Sequence, residues 1–306
     1  MTLHLSREFR HRIAGAFGDA GRQWLDDLPA LLREYAERWS LTIHPPFEPL
    51  SYNFAAPATG PDGQAVVFKA GVPRPDLTSE IDALRVYAGR GSVHLWQADA
   101  DRGVMLLERI QPGLQLATEP DDVRATEIAA RVMQSLWQPL PDGHRFKPVT
   151  EWAAGFARLR ARYDGGTGPL PSDRVALAES LFEELFACAA PAVLLHGDLH
   201  HGNILAGESG SWRAIDPQGV AGEPAYEVGA LLHNPMPEVA NWPDLPRIQR
   251  RRVDQLAAIL GFDRRRIVGY GVAQAVLSAW WTLEDHEELD GPALACADAL
   301  VPLLTN

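Results

Sequence analysis

The sequence predicts an α+β fold in which a small β-rich part precedes a larger, mainly helical part. From about residue 47 to 113, short apolar runs alternate with turns rich in Gly, Pro and Asp, as is typical of strands. Residues 6–40 and most of the chain beyond residue 113 instead repeat apolar side chains at helical spacing. A strand-and-loop segment at 192–219 interrupts the second helical region. We therefore expect two domains, residues 1–112 and 113–306.

The composition limits the class of protein and its partners. A chain of 306 residues with 46% hydrophobic and 22% charged residues can bury a substantial core. No apolar run approaches the roughly 18 residues of a membrane span, and the polar N-terminus does not resemble a secretion signal. The net charge of −12 argues against a nucleic-acid partner and favours a cationic small molecule. With only two cysteines, we expect a cytoplasmic protein without a membrane partner.

The elements of the first part follow from its local patterns. Residues 6–40 predict a helix because their apolar side chains recur every three or four positions, at Trp24, Leu25, Leu28, Leu31, Leu32 and Tyr35. LSYNFAA and QAVVFKA predict two strands around the turn PATGPDG. TSEIDALRVYAG predicts a helix with Ile81, Leu84 and Tyr87 on one face. GSVHLWQAD and GVMLLERI predict two further strands.

The most informative segment is VLLHGDLHHGNIL, residues 193–205, followed by AIDPQG at 214–219. Its spacing, H-x-D-x-x-x-x-N and then a second Asp behind an apolar run, is the spacing that kinases use. Asp198 would accept a proton from a hydroxyl group as the catalytic base. The amide oxygen of Asn203 and the carboxylate of Asp216 would bind the Mg²⁺ that bridges the phosphates of ATP. Flanking apolar residues predict short strands on both sides of these loops.

A zinc site is the alternative interpretation of this region. His200, His201 and His233 could supply nitrogen ligands. Adjacent histidines rarely point to one metal, and the cysteines at 188 and 296 have no ligand spacing. The pattern therefore favours magnesium.

Lys69 is one of only two lysines in the chain and lies in an apolar strand. A buried ammonium group needs a counter-charge, and Glu80, in the predicted first turn of the next helix, is suitable. In kinases such a pair aligns the α- and β-phosphates. The alternative is a lysine at a sheet edge with its amine in solvent. The segment Glu108 to Ile110 suits a hinge whose backbone meets the adenine, although the same pattern also describes a buried strand.

These motifs resemble the aminoglycoside-phosphotransferase-like kinases, in which H-G-D-x-H-x-x-N is followed by I-D. Within that superfamily the chain is most similar to the streptomycin 6-phosphotransferases and the group linked to aminoglycoside and hydroxyurea resistance. The resemblance extends over most of the chain, through GRQWLDDLPALLREYAERWSL, GRGSVHLWQADADRGVMLLERI, HGDLHHGNIL, AIDPQGVAGEPAYEVGALLHNP and WTLEDH. It implies a bilobal protein-kinase-like fold, ATP with Mg²⁺ as cofactors, and phosphorylation of a small cationic antibiotic. GTP stays open as an alternative to ATP.

The chain also departs from the protein-kinase patterns. The loop NFAAPATGPDGQA contains no G-x-G-x-x-G, the motif that covers the phosphates in protein kinases. No A-P-E motif follows Asp216, which fits a small-molecule kinase and argues against a protein kinase.

An acidic segment near the C-terminus, WWTLEDHEELDG at 280–291, is the predicted acceptor site. Carboxylates form paired hydrogen bonds with guanidinium groups, which streptomycin carries, and aromatic rings attract cations. We expect Glu284, Asp285 and Trp281 to bind the acceptor, and Glu287, Glu288 and Asp290 to face solvent. The alternative is a solvated helix end without a ligand.

Two other classes of function compete with an antibiotic kinase. One is a metabolic kinase of the same superfamily that acts on a sugar, choline or a glycated amine. The other is a nucleotide-binding pseudokinase, which the filled base and metal positions disfavour. Glu223 and Glu227, in GEPAYEVGALLHNP, are expected to orient the catalytic loop and to begin a helix rather than to act chemically.

Overall fold

The structure is a computed structural model that describes residues 4–305. It divides the chain into two units, Met1–Gln111 and Pro112–Asn306. The first unit contains a five-stranded sheet and two helices, and the second is mostly helical. The predicted α+β organisation, with a β-rich part before a mainly helical part, is thus confirmed. None of the helices within residues 4–305 has the length and apolar character that a membrane crossing requires.

The first unit begins with the long helix α1, Arg7–Arg38. Ser6 caps it, because its hydroxyl accepts a hydrogen bond from the Phe9 backbone N–H at 3.1 Å. Gly18 interrupts the helix with a φ of 57°, a conformation that glycine adopts without steric cost. The predicted apolar stripe, from Trp24 to Tyr35, is buried against the sheet. The helix predicted over residues 6–40 is therefore correct.

The sheet of the first unit is antiparallel, with the strand order β1-β2-β3-β5-β4. Its elements are β1 Thr42–Ile43, β2 Phe54–Thr59, β3 Ala65–Ala70, helix α2 Pro75–Tyr87, β4 Leu95–Asp99 and β5 Val104–Glu108. The turn between β2 and β3 is shorter than predicted, because Pro57, Ala58 and Thr59 still pair with β3. Strand β3 is central, so the side chain of Lys69 projects from the middle of the sheet and not from its edge.

The second unit surrounds one buried helix, α9. Its elements are α3 Asp122–Leu136, β6 Gln138–Pro139, β7 Lys147–Pro148, α4 Val149–Ala153, α5 Gly155–Arg162, α6 Ser172–Ala187, β8 Val193–Leu195, β9 Ile204–Ala206, β10 Trp212–Ala214, β11 Val220–Gly222, α7 Val228–Leu232, α8 Leu245–Leu260, α9 Arg264–His286 and α10 Gly291–Leu300. Helix α9 is apolar around most of its circumference, which is typical of a helix packed on all sides. Helices α6, α7 and α10 pack against it.

Two small sheets position the loops of the second unit. Strand β8 pairs antiparallel with β6 on one side and with β11 on the other, and β11 also pairs with β7. Strands β9 and β10 form a separate antiparallel pair. The chain leaves β8 directly into the HGD motif and leaves β10 directly into Ile215 and Asp216. Short strands therefore hold both ends of the predicted catalytic segment.

Trp280 offers a test of the α9 core. Its side chain is fully buried, so replacing it with alanine creates a large cavity. We expect Trp280→Ala to lower the free energy of unfolding by about 3–5 kcal/mol in denaturant titrations. Trp96→Ala is the matched control, because Trp96 is 46% exposed on β4. Equal losses in the two variants would contradict the central place of α9.

Candidate active site

The HGD motif lies in the loop between β8 and β9. Gly197 has a φ of 88°, and a Cβ atom there would meet Trp152 Cη2 at 2.8 Å and Val220 Cγ2 at 2.9 Å. Only glycine therefore fits between the two flanking residues of the motif. The Asp198 side chain is 45% exposed, so its carboxylate is open to a hydroxyl group. The loop ends in a single helical turn, His201–Asn203, that leads into β9.

His196 connects this loop to the segment that carries Asp216. Its buried imidazole donates from Nε2 to the Ile215 carbonyl at 2.8 Å, and Nδ1 accepts from the Asp198 N–H at 3.3 Å. Its own carbonyl accepts from Gln218 N at 2.8 Å. Burial lowers the pKa of His196 to about 4, so the ring is neutral at pH 7. His196 thus has a positioning role, and its place as the first residue of the HGD motif is the sequence signal for that role.

The Glu227 carboxylate binds the backbone of the same loop. The carboxylate is buried, and its two oxygens accept the N–H groups of His196 and Gly197, each at 2.8 Å. Burial raises the pKa of Glu227 to about 7, while the two N–H donors act in the opposite direction. The structure therefore agrees with the expectation that Glu227 orients the catalytic loop.

Glu223 stabilises the segment that precedes β8. Its carboxylate accepts from Arg266 Nε and from the Ala190 N–H, at 2.9 and 3.0 Å, and the Tyr270 hydroxyl also donates to it. Through these bonds Glu223 connects helix α9 to the chain just before β8. It stabilises the approach to the loop and does not contact the loop itself.

Asn203 and Asp216 carry oxygen donors on two connected loops. Asn203 Nδ2 donates to the Asp198 carbonyl at 2.9 Å, which leaves the amide oxygen as the free end of the side chain. The Ile215 N–H donates to the Asn203 carbonyl at 2.9 Å and so ties the two loops together. Asp216 adopts a φ of 59°, a strained conformation that is frequent at functional sites. One carboxylate and one amide oxygen are donors that suit Mg²⁺.

His200 lies between Asp198 and Asn203 in the sequence of the loop. Its Nδ1 accepts from the Gly202 N–H at 3.0 Å, and its Nε2 lies 3.8 Å from Asp198 Oδ2. Because Nδ1 is an acceptor, the ring hydrogen is on Nε2, which faces the Asp198 carboxylate.

A buried ion pair that the sequence analysis missed lies beside the catalytic loop. The fully buried guanidinium of Arg252 donates to Asp122 Oδ1 from Nε at 3.0 Å, and to His201 Nε2 at 3.3 Å. It also stacks on the ring of Trp242 at 4.7 Å. Burial alone would raise the pKa of Asp122, but Arg252 and Arg251 hold it below its usual value. His201 is thus bonded to a cation, which disfavours the zinc alternative.

In the first unit, Lys69 and Glu80 form the expected pair. Lys69 Nζ lies 2.6 Å from Glu80 Oε1, and the residues are 3% and 6% exposed. The alternative of a solvent-facing lysine at a sheet edge is therefore wrong. Glu80 lies in the second turn of α2 and not in the first, because the helix already begins at Pro75, a favoured first residue.

The predicted hinge residues lie at the end of β5. Glu108 is the last residue of the strand, and its carboxylate accepts the His94 N–H at 3.0 Å. Its own N–H donates to the His94 carbonyl at 2.8 Å. Ile110 lies beyond the strand. Nucleotide binding by Glu108 and Ile110 stays a prediction.

The acidic segment at 280–291 differs from expectation in one respect. Asp290 is buried and caps α10, accepting from the Ala293 N–H at 3.0 Å, so the prediction that it faces solvent is wrong. Glu284 forms a bidentate ion pair with Arg158, at 2.8 and 2.7 Å. Asp285 is exposed, and Trp281 packs edge-on against Trp152. Acceptor binding by Glu284, Asp285 and Trp281 stays a prediction.

Comparison with known proteins identifies the class of the chain. It is 33% identical over 291 residues to the streptomycin 6-kinase of Streptomyces glaucescens. The aligned residues make up 94% of each of the two chains. It is also 33% identical over 279 residues to the hydroxyurea phosphotransferase of Kitasatospora aureofaciens, covering 88% of this chain and 77% of the relative. These relatives show that the chain is a phosphotransferase that acts on a hydroxyl group.

The family follows from a match over most of the sequence. The model of the aminoglycoside/hydroxyurea antibiotic resistance kinase family matches residues 52–286. The chain belongs to this family and is an antibiotic resistance kinase, as the resemblance of its motifs predicted.

Two solved structures share the fold of this chain. One is a ternary complex of an aminoglycoside phosphotransferase with ADP and hygromycin B, with a TM-score of 0.63 and 14% sequence identity. The superposition covers 89% of this chain and 97% of the phosphotransferase chain. A choline kinase from Streptococcus pneumoniae has a TM-score of 0.62 and 15% identity, covering 92% and 99%. At these identities the likeness shows the fold alone.

The raised pKa of Glu227 predicts a pH dependence of stability. Because the carboxyl group titrates near 7 in the folded chain and near its ordinary 4.5 when unfolded, its contribution to stability is complete below about 4.5 and is lost as the pH rises through about 7. Glu227→Gln removes this contribution. We therefore expect the difference in unfolding free energy, wild type minus variant, to decrease between these pH values in denaturant titrations. A difference that is constant or that increases with pH would contradict the assignment.

Proposed function

We propose that the chain transfers the γ-phosphoryl group of ATP, in the presence of Mg²⁺, to a hydroxyl group of streptomycin or a closely related cationic antibiotic. The observation that carries this proposal is the loop from His196 to Asn203. This loop carries the half-exposed carboxylate of Asp198 and the amide side chain of Asn203, which donates to the Asp198 carbonyl, and its backbone is anchored by Glu227. The similarity to streptomycin 6-kinases supports streptomycin as the acceptor.

Asp198 is proposed as the catalytic base. It would accept the proton of the acceptor hydroxyl while the hydroxyl oxygen forms a bond to the γ-phosphorus and the bond from that phosphorus to the β,γ-bridging oxygen breaks. The anchoring of its backbone by Glu227 and His196 fixes where the carboxylate stands. Such positioning is the main contribution that a protein makes to phosphoryl transfer.

Asn203 and Asp216 are proposed to hold Mg²⁺. The bound ion supplies neutralisation of the charge on the phosphate oxygens. The hydrogen bond between Ile215 N and the Asn203 carbonyl keeps the spacing of the two ligand loops constant.

Lys69 is proposed to bind the α- and β-phosphates of ATP, with Glu80 fixing the position of its ammonium group. The 2.6 Å contact between them supports this role, since a buried lysine without a counter-charge would lose its proton readily. The backbone near Glu108 and Ile110 is proposed to meet the adenine, and GTP stays an alternative nucleotide.

Hydroxyurea is the second candidate acceptor. The relative named hydroxyurea phosphotransferase is as similar in identity as the first streptomycin 6-kinase. Hydroxyurea is neutral at pH 7, whereas the net charge of −12 favours a cationic acceptor. We therefore place streptomycin first.

Asp198→Asn tests the base. We expect purified wild type to release ADP from ATP in a coupled assay when streptomycin is added, and to respond less to hydroxyurea, choline or glucose. In Asp198→Asn, kcat with streptomycin should fall by at least about 10²-fold, because the amide cannot accept the proton, while ATP still binds. Asp142→Asn, at an exposed carboxylate, should retain full activity. Wild-type kcat in Asp198→Asn would refute the assignment.

Lys69→Ala tests the nucleotide site. We expect a higher KM for ATP and a lower kcat, because the phosphates lose a fixed positive charge. The control is Lys147→Ala, the only other lysine, which is exposed. Initial rates measured over a range of ATP concentrations distinguish the two variants. The proposal fails if Lys69→Ala leaves the ATP dependence unchanged.

A further inference from the structure

A cavity of about 820 Å³ opens beside the catalytic loop, within the second unit. Segments that are distant in sequence line it, including Gln115, Asp121, His200, Gly202, Glu238 and Trp242. Its volume lies in the range of cavities that hold drug-sized molecules. No single segment of the chain forms this cavity, so no local sequence pattern predicts it.

The cavity is adjacent to the proposed base. His200 lines it, and the Nε2 atom of the same side chain lies 3.8 Å from Asp198 Oδ2. Gly202, which also lines it, immediately precedes the proposed metal ligand Asn203. A molecule bound in the cavity therefore lies one side chain away from the group that would accept its proton.

The charge of the lining is predominantly negative. Four carboxylates line the cavity, on Glu119, Asp121, Asp122 and Glu238, against one guanidinium, on Arg251. Two of the four are neutralised by neighbouring arginines, because Asp122 pairs with Arg251 and Arg252, and Glu119 lies 3.4 Å from Arg124.

Within the described part of the chain, no arginine pairs with the other two carboxylates, Asp121 and Glu238. Asp121 caps helix α3, accepting the Val123 N–H at 3.0 Å through one oxygen. Glu238 is exposed. Within residues 4–305, neither carboxylate forms an ion pair with Lys, Arg or His.

We propose that this cavity is the acceptor site, and that Asp121 and Glu238 bind the cationic groups of the acceptor. The proposal rests on the proposed function, since it assigns a place to the cationic antibiotic of that reaction. The size of the cavity, its contact with the catalytic loop through His200 and its two uncompensated carboxylates together fit an acceptor with guanidinium or ammonium groups.

The cavity is favoured over the acidic segment at 280–291. There Glu284 already has both oxygens bonded to Arg158, so a ligand guanidinium would have to displace an existing one. Asp121 and Glu238 carry no such competitor.

The test is the double variant Asp121→Asn with Glu238→Gln, assayed with streptomycin and ATP. Asparagine is as good a helix cap as aspartate, so the first change removes charge and keeps α3 intact. We expect the KM for streptomycin to rise by about tenfold or more, with kcat and the KM for ATP within about twofold of wild type. Added salt should raise the wild-type KM and have less effect on the variant.

Three comparisons complete the design. Asp142→Asn with Glu208→Gln removes two exposed charges of the same unit outside the cavity, and should leave the KM for streptomycin unchanged. Glu284→Gln with Asp285→Asn tests the competing site in the same assay. Glu238→Gln alone, at an exposed position, should give part of the effect without any risk to folding.

The outcomes separate the cavity from the proposed function. If wild type phosphorylates streptomycin but the cavity variants keep a normal KM, the cavity proposal is overturned and the function stands. A raised KM in the Glu284 and Asp285 variant alone overturns it as well. If wild type does not phosphorylate streptomycin, the proposed acceptor is wrong, and calorimetric titration with streptomycin decides on the cavity. Absent binding, or equal binding by wild type and the cavity variant, then overturns the cavity proposal too.

Discussion

The buried, neutral imidazole of His196 is the contact on which the geometry of the candidate site depends. One ring nitrogen bonds to the backbone before Asp216, and the other bonds to the backbone of Asp198. Burial keeps the ring uncharged, so that one nitrogen donates and the other accepts. A protonated ring would lose the acceptor and with it the bond to Asp198. Because the ring lies in the interior, water does not compete for these hydrogen bonds, which strengthens them.

Buried charged side chains fix the positions of functional segments within each unit. In the second unit Glu227 holds the HGD backbone, and Arg252 connects Asp122 to His201 at the other end of the loop. In the first unit Lys69 and Glu80 hold each other in a central strand and the helix that follows it. Removing charges from water costs free energy that their attraction only partly offsets. Such pairs are therefore better explained by the positions that they impose than by the stability that they contribute.

The part of the site that the sequence predicted is the part that short spacing determines. Asp198 and Asn203 are five residues apart in one motif. The hydrogen bond from Ile215 N–H to the Asn203 carbonyl joins this motif to the segment that carries Asp216. Lys69 was recognisable because a lone lysine in an apolar strand requires a partner. The family resemblance added the fold and the class of reaction, both of which the comparisons confirmed.

The remaining features depend on packing between distant segments. Arg252 is the last of three consecutive arginines, 250–252, in α8, and the sequence does not reveal which of these three faces inward. Asp290 was expected to face solvent, but its side chain instead caps the start of α10. The cavity combines residues from 115 to 251, so no local pattern could indicate it.

We propose that this chain phosphorylates a hydroxyl group of a cationic antibiotic by means of the anchored HGD loop. Phosphorus NMR of a reaction containing purified protein, ATP, Mg²⁺ and streptomycin tests this proposal. We expect a new phosphomonoester resonance on streptomycin that grows in step with ADP. ADP accompanied only by inorganic phosphate, or no change in the spectrum, would contradict it.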